Sequence, residues 1–405
     1  DGTFANVSDE AAVAGGETVG AGVCFLDIEG DGDLDVYVAN YVRFQFDQHR
    51  SLSVDGFPQY RGPKDFEAHP DVMYRNNGDG TFSDVSREAG LQIATGTGMG
   101  TLCLDFDDDR DTDIVVLNDV MGNFLWQNDG RGQFEEVGLI AGIGYNADGL
   151  PLGSMGLDSA DYDQDGRLDV YQTSYANELP ALYRNLGGGL FQDVTKPSGA
   201  GAGLYPHVNW GAGFVDFEND GDCDLYIANG HLQDNVHRYS DTTTYETANS
   251  VLLNEGNGRF RDVSSLCGEA LAERRSSRGI AIADLDQDGR CDVVVSQARS
   301  RPTLLRNESQ PAGHWISVRL HGRGTNRDGV GARIRVMANG VSQVREVHSG
   351  RGYQSHWGTE VPFGLAAATA VDDIYVQWIG GGEQVVKSPP IDRVVHIVES
   401  GSGRP

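Results

Sequence analysis

Short runs of apolar residues recur along most of the chain, and each run borders a cluster of acidic residues. The runs at 35–39, 113–117 and 292–296 are rich in β-branched and aromatic residues, which is typical of buried β-strands. A second pattern follows the acidic clusters: an apolar residue, a pair such as Arg-Asn, a glycine turn, a phenylalanine and a polar residue before valine. It occupies residues 74–85, 126–137, 183–194 and 253–263. Because glycine supplies the positive φ of a tight turn, this pattern predicts a β-hairpin, and each repeat therefore predicts four strands.

The acidic clusters share one spacing, with oxygen-bearing side chains at the first, third, fifth and ninth positions and, in four of the five, glycine at the sixth. In the cluster that starts at Asp284, Gly289 stands at the turn, Arg290 offers its backbone carbonyl at position seven, and Cys291 is expected to point inward. Calcium takes about six to eight oxygen ligands, and a short loop with alternating carboxylates can surround one ion.

We call the clusters cation loops one to five, and the repetition favours about five bound Ca²⁺ ions over acidic surface turns. The candidate metal ligands, with position seven included, are Asp27, Glu29, Asp31, Asp33 and Asp35 in loop one; Asp105, Asp107, Asp109, Asp111 and Asp113 in loop two; Asp161, Asp163, Asp165, Arg167 and Asp169 in loop three; Asp216, Glu218, Asp220, Asp222 and Asp224 in loop four; and Asp284, Asp286, Asp288, Arg290 and Asp292 in loop five.

An EF-hand is the main alternative for these loops. It requires a glutamate at position twelve and a helix on each side. Position twelve holds Val38, Val116, Gln172, Ile227 and Val295 instead, and the residues that follow each loop predict strands. The sites are therefore expected to be strand–loop–strand sites.

Loop two departs from the pattern at two positions. Arg110 stands where the other loops have glycine, and Thr112 replaces the apolar residue at position eight. A non-glycine residue in a left-handed turn costs about 1 kcal/mol or more. We therefore expect loop two to be the weakest calcium site.

Four-stranded units that repeat along a chain are the signature of a β-propeller. Five loops predict an all-β fold with about five blades in residues 1–310. The fifth repeat has no Gly-x-Phe strand after it, and residues 1–8 carry that pattern, so we expect them to close the ring. The loops and hairpins resemble the FG-GAP/VCBS repeats of integrin α-subunit propellers. This resemblance implies calcium between the first two strands of a blade.

Residues 311–405 have a different pattern, with alternating strands and no cation loop, and predict a separate small β domain, sandwich-like in form. Segments 326–333, 349–353 and 363–365 resemble the ASPIC/UnbV domain. Propeller repeats followed by this domain are the arrangement of the cartilage acidic protein family. The resemblance implies a calcium-binding protein that is secreted, extracellular or periplasmic, and it fixes no activity.

The overall charge narrows the class of partner. The 405 residues carry a formal net charge of −29, which argues against nucleic acid because phosphate binding needs a basic surface. No apolar run is long enough to cross a bilayer. The chain starts within a repeat, so we expect an upstream segment to have been removed or left out, and we expect a monomer. The cysteines have irregular spacing, and buried free thiols are favoured over a disulfide framework.

Two long connections, 41–70 and 230–250, are expected on the propeller face opposite the cation loops. Long connections in compact folds are usually functional or disordered, and the aromatic and proline content here favours order. The candidate catalytic residues on this face are His231, His207, Arg278 and Tyr60, and the candidate ligand-binding residues are Arg61, Asn209, Trp210, His237 and Tyr205. The histidines could equally be satisfied by neighbours and the arginines paired with carboxylates.

Two functions follow from these residues. The first is recognition of a protein, glycan or small molecule on the face opposite the calcium loops. The alternative is a calcium-stabilised enzyme of secondary metabolism that performs cyclase, isomerase or lyase-type acid–base chemistry there. No familiar catalytic constellation is present, so binding is favoured.

Overall fold

The computed structural model describes residues 2–16, 18–48, 50–310, 313–324 and 326–400, and it confirms an all-β fold. Five sheets follow one another along the chain, and we call them blades one to five. Their strands are β1 Thr18–Leu26, β2 Asp35–Arg43, β5 Val72–Asn76 and β6 Phe82–Asp84 in blade one, which also carries the hairpin β3 Leu52–Val54 and β4 Phe57–Gln59; β7 Gly98–Leu104, β8 Asp113–Asn118, β9 Phe124–Asn128 and β10 Phe134–Glu136 in blade two; β11 Leu157–Ala160, β12 Asp169–Gln172, β13 Ala181–Gly187 and β14 Leu190–Asp193 in blade three; β15 Asn209–Val215, β16 Asp224–Asn229, β17 Ser250–Asn254 and β18 Phe260–Asp262 in blade four; and β19 Ser277–Ala283, β20 Asp292–Gln297 and β21 Thr303–Leu305 in blade five.

The strands of the C-terminal domain are β22 His314–His321, β23 Arg333–Ala338, β24 Val341–Glu346, β25 Glu360–Ala366, β26 Asp373–Gln377, β27 Glu383–Lys387 and β28 Val394–Val398. They form two sheets, ordered β25-β22-β28 and β24-β23-β26-β27, which enclose one apolar core. Helical segments are short: α1 Gly138–Ala141, α2 Thr195–Ser198, α3 Gly268–Ala272, and 3-10 turns at Phe46–Gln48, Pro63–Asp65, Leu91–Ile93, Val236–Arg238 and Ser264–Leu266. No helix in the described part of the chain has the length and apolarity needed to span a bilayer.

The first strands of the blades, β1, β7, β11, β15 and β19, lie side by side, and we call them the inner strands. As a result, β7 and β15 are buried along their whole length. In blades two to five, an asparagine near the end of the third strand, or two residues after it in blade five, ties the blade to the preceding one through a backbone carbonyl. The pairs are Asn128 to Ile28 O (3.1 Å), Asn185 to Phe106 O (2.8 Å), Asn254 to Tyr162 O (2.9 Å) and Asn307 to Phe217 O (2.9 Å). Each bonded carbonyl belongs to the second residue of a cation loop, so the loops and the blade contacts form one network.

The predicted closure of the ring by residues 1–8 is not formed in the structure. Asp1 lies outside the described residues, residues 2–7 belong to no strand, and Phe4 is 99% exposed. Blade five has three strands among the described residues, and one face of β1 is open, with Val23 52% and Phe25 44% exposed. Blades one and five share no strand pairing among the described residues, although Arg299, which follows β20, donates to the Tyr60 hydroxyl (2.9 Å).

The expectation of free thiols is wrong for two cysteines. Cys24 on β1 and Cys103 on β7 are joined as a disulfide, whereas Cys223 and Cys291 are free and buried, as expected for position eight of a cation loop. The inner strands of blades one and two face each other at the same level. The sequence separation of 79 between the two cysteines hides this proximity in the sequence.

Candidate functional site

Each cation loop is built by hydrogen bonds from its first and ninth residues. In loop five, Asp284 accepts backbone N–H groups from Asp288 (3.1 Å) and Gly289 (2.8 Å). Asp292 accepts one from Asn307 (2.8 Å), the residue that also contacts blade four. The other four loops repeat the bond to the residue at position six.

Carboxylate oxygens converge in three of these loops to within 4.8 Å of one another: Asp105, Asp107 and Asp113 in loop two, Asp161, Asp163 and Asp169 in loop three, and Asp284, Asp286 and Asp288 in loop five. Several of the oxygens are buried without a hydrogen-bond partner. Asp161 is 3% exposed, and its Oδ1 and that of Asp163 are both unpartnered. Burial raises the pKa of Asp161 to about 6, because nothing nearby fully offsets the loss of solvent. A cluster of hard, desolvated oxygens fits a divalent cation such as Ca²⁺.

Two residues in every loop have left-handed backbone conformations, at positions four and six. Position four is occupied by Gly30, Asp108, Gln164, Asn219 and Gln287, and position six by Gly32, Arg110, Gly166, Gly221 and Gly289. The sequence pattern predicted the second of these positions and missed the first, because position four is glycine only in loop one and is Asp, Gln or Asn in the other four loops.

Arg110 has a φ of 80°, so replacing it with glycine should stabilise the protein by about 1 kcal/mol. The substitution also removes the ion pair with Glu383 (2.8 Å), but both side chains are more than half exposed and such pairs contribute little. Thermal unfolding of Arg110→Gly should show a higher midpoint, with Glu383→Gln as the control for the lost ion pair. A lower midpoint for Arg110→Gly than for Glu383→Gln would mean that the turn is not strained.

Arginine side chains already neutralise part of loop three. Arg184 contacts Asp163 (2.6 Å) and Asp165 (3.0 Å), and the side chain of Arg167 pairs with Asp165 as well. Sequence reasoning assigned position seven a backbone role only. The structure adds the side chain, which also donates to the carbonyl of Asn185 (2.9 Å) and holds the loop against its own blade.

The C-terminal domain covers the face that carries the cation loops. Arg333 donates to Asp105 O (2.8 Å) and forms an ion pair with Asp108, while Glu346 accepts the backbone N–H of Asp105 (3.3 Å). Burial raises the pKa of Glu346 to about 8, and the charge of Arg333 opposes that rise. The same domain also bonds to loop four. The geometry of loop two therefore depends on docking of the second domain.

Residues 347–357 leave β24 and pass between the inner strands of the blades, and we call them the axial segment. We call the space that the inner strands surround the channel. From within it, His348 bonds Ser159 Oγ (2.9 Å) and Cys103 O (3.2 Å). Burial lowers the pKa of His348 to about 3, so the ring is neutral at physiological pH. Ser159 and Cys103 belong to different blades, and the axial segment therefore links them from inside.

The middle of the axial segment is held by a buried charge pair. Arg351 lies 3.8 Å from Asp158, and its guanidinium stacks on the Trp357 ring at 4.2 Å. Asp158 is 1% exposed and accepts a backbone N–H from Phe214 (2.8 Å) on the neighbouring blade. Charge, ring and strand contacts together fix the path of this segment along the channel.

Arg278 lies at the end of β19 away from the cation loops, in an aromatic setting. Its guanidinium lies 4.1 Å from the Trp210 ring and donates to the carbonyls of Ser277 (2.7 Å) and His231 (3.3 Å). Tyr353 of the axial segment packs against Trp210 with ring centroids 4.9 Å apart. Arg278 forms no ion pair with any carboxylate among the described residues, and burial lowers its pKa.

Tyr60 approaches this cluster across the face. Its backbone N–H and C=O bond the side chain of Gln233, and its hydroxyl accepts from Arg299 (2.9 Å). His231, two residues before Gln233, is 5% exposed and lies beside Tyr175. The hairpin of blade one thus docks on the long connection of blade four.

Other candidate residues lie elsewhere. Arg61 pairs with Asp65 (3.1 Å), and Asn209 is fully buried and bonds Asn229 (2.9 Å). His207 is influenced by the charges of Arg274 and Asp262 rather than by His231, and burial lowers its pKa. His237 and Tyr205 are exposed. His207 and His231 share no hydrogen bond or ring contact among the described residues.

Sequence reasoning missed three contributors to the face. The first, Tyr353, comes from the C-terminal domain. The second, Tyr41, donates its hydroxyl to Asp119 (2.7 Å), and burial raises the pKa of Asp119 to about 6. The third, Tyr175, packs in the same apolar cluster as Trp210 and Tyr353. The motif Arg351-Gly352-Tyr353 could have drawn attention to Tyr353 in the sequence. Its place in the channel could be seen only once the arrangement of the two domains was known.

Comparison with known families gives two matches that together cover most of the chain. The model described as FG-GAP-like repeat matches residues 105–172, 161–227 and 216–295, and the model described as ASPIC and UnbV matches 322–404. Human cartilage acidic protein 1 is 24% identical over 93% of this chain and 53% of its own length, and the mouse protein is 23% identical over 97% and 57%. The chain thus spans about half the length of these curated relatives.

Solved structures that resemble this chain include a lectin from Agrocybe aegerita that recognises non-reducing terminal N-acetylglucosamine. It is 18% identical, with a TM-score of 0.36 over 75% of this chain and 84% of its own. The Dos1 propeller is 9% identical, with a TM-score of 0.32 over 92% and 84%. The order of sheets, the repeated loops and the family matches agree. The chain is an FG-GAP-repeat β-propeller followed by an ASPIC and UnbV domain, and more than nine-tenths of this chain is homologous to cartilage acidic protein 1.

Proposed function

We propose that this protein is an exported, calcium-binding propeller that binds a small, negatively charged ligand at Arg278, on the face opposite the cation loops. The observation that carries the proposal is the guanidinium of Arg278, which is half-buried against Trp210 and forms no ion pair with a carboxylate among the described residues. Buried cations are usually paired, because an unpaired charge loses solvation without compensation. A carboxylate or sulfate group would supply the missing partner.

The aromatic surround suggests what else the ligand carries. Trp210 is buried beneath the guanidinium, whereas the rings of Tyr353 and Tyr175 nearby are half-buried, and such rings stack on the apolar faces of sugars and aromatic molecules. The net charge of −29 repels long polyanions. We therefore favour a small ligand with one negative charge, such as an acidic monosaccharide, over a sulfated polymer.

Calcium enters the proposal as the ion that the five loops would hold, with the loop carboxylates and the position-seven carbonyls as ligands. Bound calcium would neutralise carboxylates that repel one another and so fix the blades beneath the ligand face. Export agrees with one observation. A disulfide joins Cys24 and Cys103, and such bonds persist in oxidising compartments, where calcium is also abundant.

The test uses isothermal titration of the calcium-loaded protein with methyl β-glucuronide, and with methyl β-glucoside as the neutral control. Loss of a charge-assisted bond costs about 1.5–3 kcal/mol, so Arg278→Met should weaken glucuronide binding by about tenfold or more. Arg278→Lys should retain part of it. The matched control is Arg299→Met, on the same face, because Arg299 is exposed and already paired with Asp234 (2.7 Å).

The proposal fails if Arg278→Met and the parent protein bind the glucuronide equally, or if the neutral glycoside binds as tightly. A turnover product of either glycoside would favour the enzymatic alternative instead. The melting temperature of each variant reports separately on folding.

A further inference from the structure

Neighbouring cation loops in blades three, four and five are joined directly by hydrogen bonds. The donor is in each case the amide side chain at position four of a loop. Gln164 of loop three donates to the carbonyl of Gly221 (3.2 Å) and to the carboxylate of Asp222 (2.9 Å) in loop four. Asn219 of loop four donates to the carbonyl of Gly289 (3.0 Å) in loop five. Loops three, four and five therefore form a hydrogen-bonded series, which we call the linked loops.

The accepting carbonyls lie next to candidate calcium ligands. Gly221 stands at position six, and the peptide unit that follows it leads to Asp222, whose own carbonyl is the position-seven ligand. The N–H of that peptide unit donates to Asp220 at position five (3.0 Å), and loop five repeats the bond between Arg290 and Asp288 (3.0 Å). One peptide unit is therefore held by the preceding loop at its carbonyl and by a candidate calcium ligand at its N–H.

The donor side chains are positioned by the loops to which they belong. Position four lies between two candidate ligands, at positions three and five, and its backbone is left-handed, with a φ of 59° at Gln164 and 56° at Asn219. An ion that fixes positions three and five also fixes the residue between them. Binding in one loop therefore orients the amide that holds the next loop.

Loops one and two are not joined to their successors in this way. Position four of loop one is Gly30, which has no side chain, and Asp108 of loop two pairs with Arg333 of the C-terminal domain. Position four of loop five is Gln287, which is exposed, and its side chain makes no bond to another loop among the described residues. The link is thus a property of two particular side chains.

We propose, on the basis of the calcium binding proposed above, that the linked loops bind calcium with positive cooperativity and that Gln164 and Asn219 carry the coupling. The first ion orders its loop and the amide that reaches the next loop. The next loop then loses less conformational freedom when its own ion binds, and its affinity is higher. The coupling is reciprocal, and one hydrogen bond of this kind changes the affinity of the neighbouring loop by about fivefold.

Repulsion between the ions does not outweigh this coupling. Each linked loop carries at least four carboxylates. One divalent ion therefore leaves it without a net positive charge, even in loop three, where Arg167 and Arg184 already pair with carboxylates. The electrostatic effect of a filled loop on its neighbour is small and is screened by salt.

The middle loop also receives the C-terminal domain. The carbonyl of Asn219, at position four, accepts the N–H of Ala366 (2.9 Å) from β25. Asn219 is 6% exposed and thus joins loop four, loop five and the second domain at one buried point. Filling of the linked loops therefore fixes a docking point of that domain over a narrow range of calcium concentration.

Isothermal titration of the full chain with calcium tests the coupling. Loops one and two are disabled, so that the linked loops supply all the ions that are measured. Gln164→Met keeps the length of the side chain without its donor, and Asn219→Gly removes the amide while the backbone keeps its left-handed conformation. The matched control is Gln287→Met, with the same residue at the same loop position but no link. The background substitutions are Glu29→Gln, Asp31→Asn, Asp107→Asn and Asp109→Asn.

The background protein should bind three ions with a Hill coefficient above one. Gln164→Met with Asn219→Gly should still bind three, with a coefficient of about one and a severalfold higher half-filling concentration. Gln287→Met should change neither value. A coefficient of one in the background protein, or an equal loss in Gln287→Met, would overturn the coupling and leave calcium binding intact. A parent protein that binds no calcium would refute the proposed calcium binding itself.

A second measurement applies if the background protein does not fold. Equilibrium dialysis of the otherwise unchanged chain then compares loop five disabled by Asp286→Asn with Asp288→Asn against loop one disabled by Glu29→Gln with Asp31→Asn. Disabling loop five should raise the free calcium that half-fills the remaining loops, because loop four loses its neighbour. Disabling loop one should not raise it. Equal effects of the two changes would show that the loops fill independently.

Discussion

Removing calcium with a chelator should lower the melting temperature of this protein by several degrees. A ligand at about ten times its dissociation constant stabilises the folded state by about 1.4 kcal/mol per site, and three loops with convergent carboxylates therefore contribute about 4 kcal/mol. Without the ion, Asp161 and Asp163 keep buried, unpartnered oxygens that repel one another. Calorimetry at millimolar calcium and in excess chelator measures the difference.

Controls separate a bound ion from general screening. Magnesium should substitute poorly, because it holds its own water and prefers a smaller octahedral site. Asp161→Asn with Asp163→Asn should reduce the calcium effect, whereas Asp148→Asn, at an exposed carboxylate that pairs with Lys196, should leave it unchanged. An identical midpoint with and without chelator would contradict a structural role for calcium.

The repeated features of this fold could be predicted because they are local in sequence. A cation loop spans nine residues, and both its carboxylate spacing and its glycine turn are visible without any partner. The hairpin after it is equally local. Conversely, the Cys24–Cys103 disulfide and the Arg278–Trp210 contact join residues on different blades. Nothing in either stretch alone reports on the other, so these contacts required the arrangement of the blades.

The asparagines of the third strands show a signal that was present and could have been used. Asn128, Asn185, Asn254 and Asn307 occur at the same repeat position, and each bonds a carbonyl of the preceding blade. A repeated polar residue at the end of a buried strand needs a partner outside its own hairpin. The pattern therefore reports on blade order. The path of the axial segment could not be predicted in this way, because the segment occurs once and has no repeated sequence pattern.

The second large effect is expected at the buried pair within the channel. Arg351→Ala should lower the free energy of unfolding by about 3–5 kcal/mol, because it leaves Asp158 as an uncompensated buried charge. Asp158 is 1% exposed, and the side chain of Arg351 is 15% exposed, so solvent cannot replace the lost partner. The substitution also removes the guanidinium that lies over Trp357. Chemical denaturation of the calcium-loaded protein measures the loss.

A double-mutant cycle distinguishes charge from packing at this site. Asp158→Ala combined with Arg351→Ala removes both charges and should be more stable than Arg351→Ala alone, because no unpaired carboxylate remains. Arg319→Ala, at an exposed position on β22, is the matched arginine control and should change stability by less than about 0.5 kcal/mol. If the two single substitutions and the double one simply add, the pair does not interact.

The same variant tests whether the axial segment joins the two domains into one cooperative unit. Arg351, His348 and Tyr353 belong to the C-terminal domain in sequence but lie among the inner strands of the blades. Domains that share such a segment unfold together, whereas loosely linked domains unfold in separate steps. Calorimetry of Arg351→Ala should therefore resolve a second transition where the parent protein shows one.

The same variant should also weaken glucuronide binding at Arg278. Arg351 does not touch Arg278, but the axial segment that Arg351 holds also carries Tyr353, which lies beside Trp210. A single sharp transition at a lower temperature, with binding intact, would place the coupling between the domains at loop two and Arg333 instead.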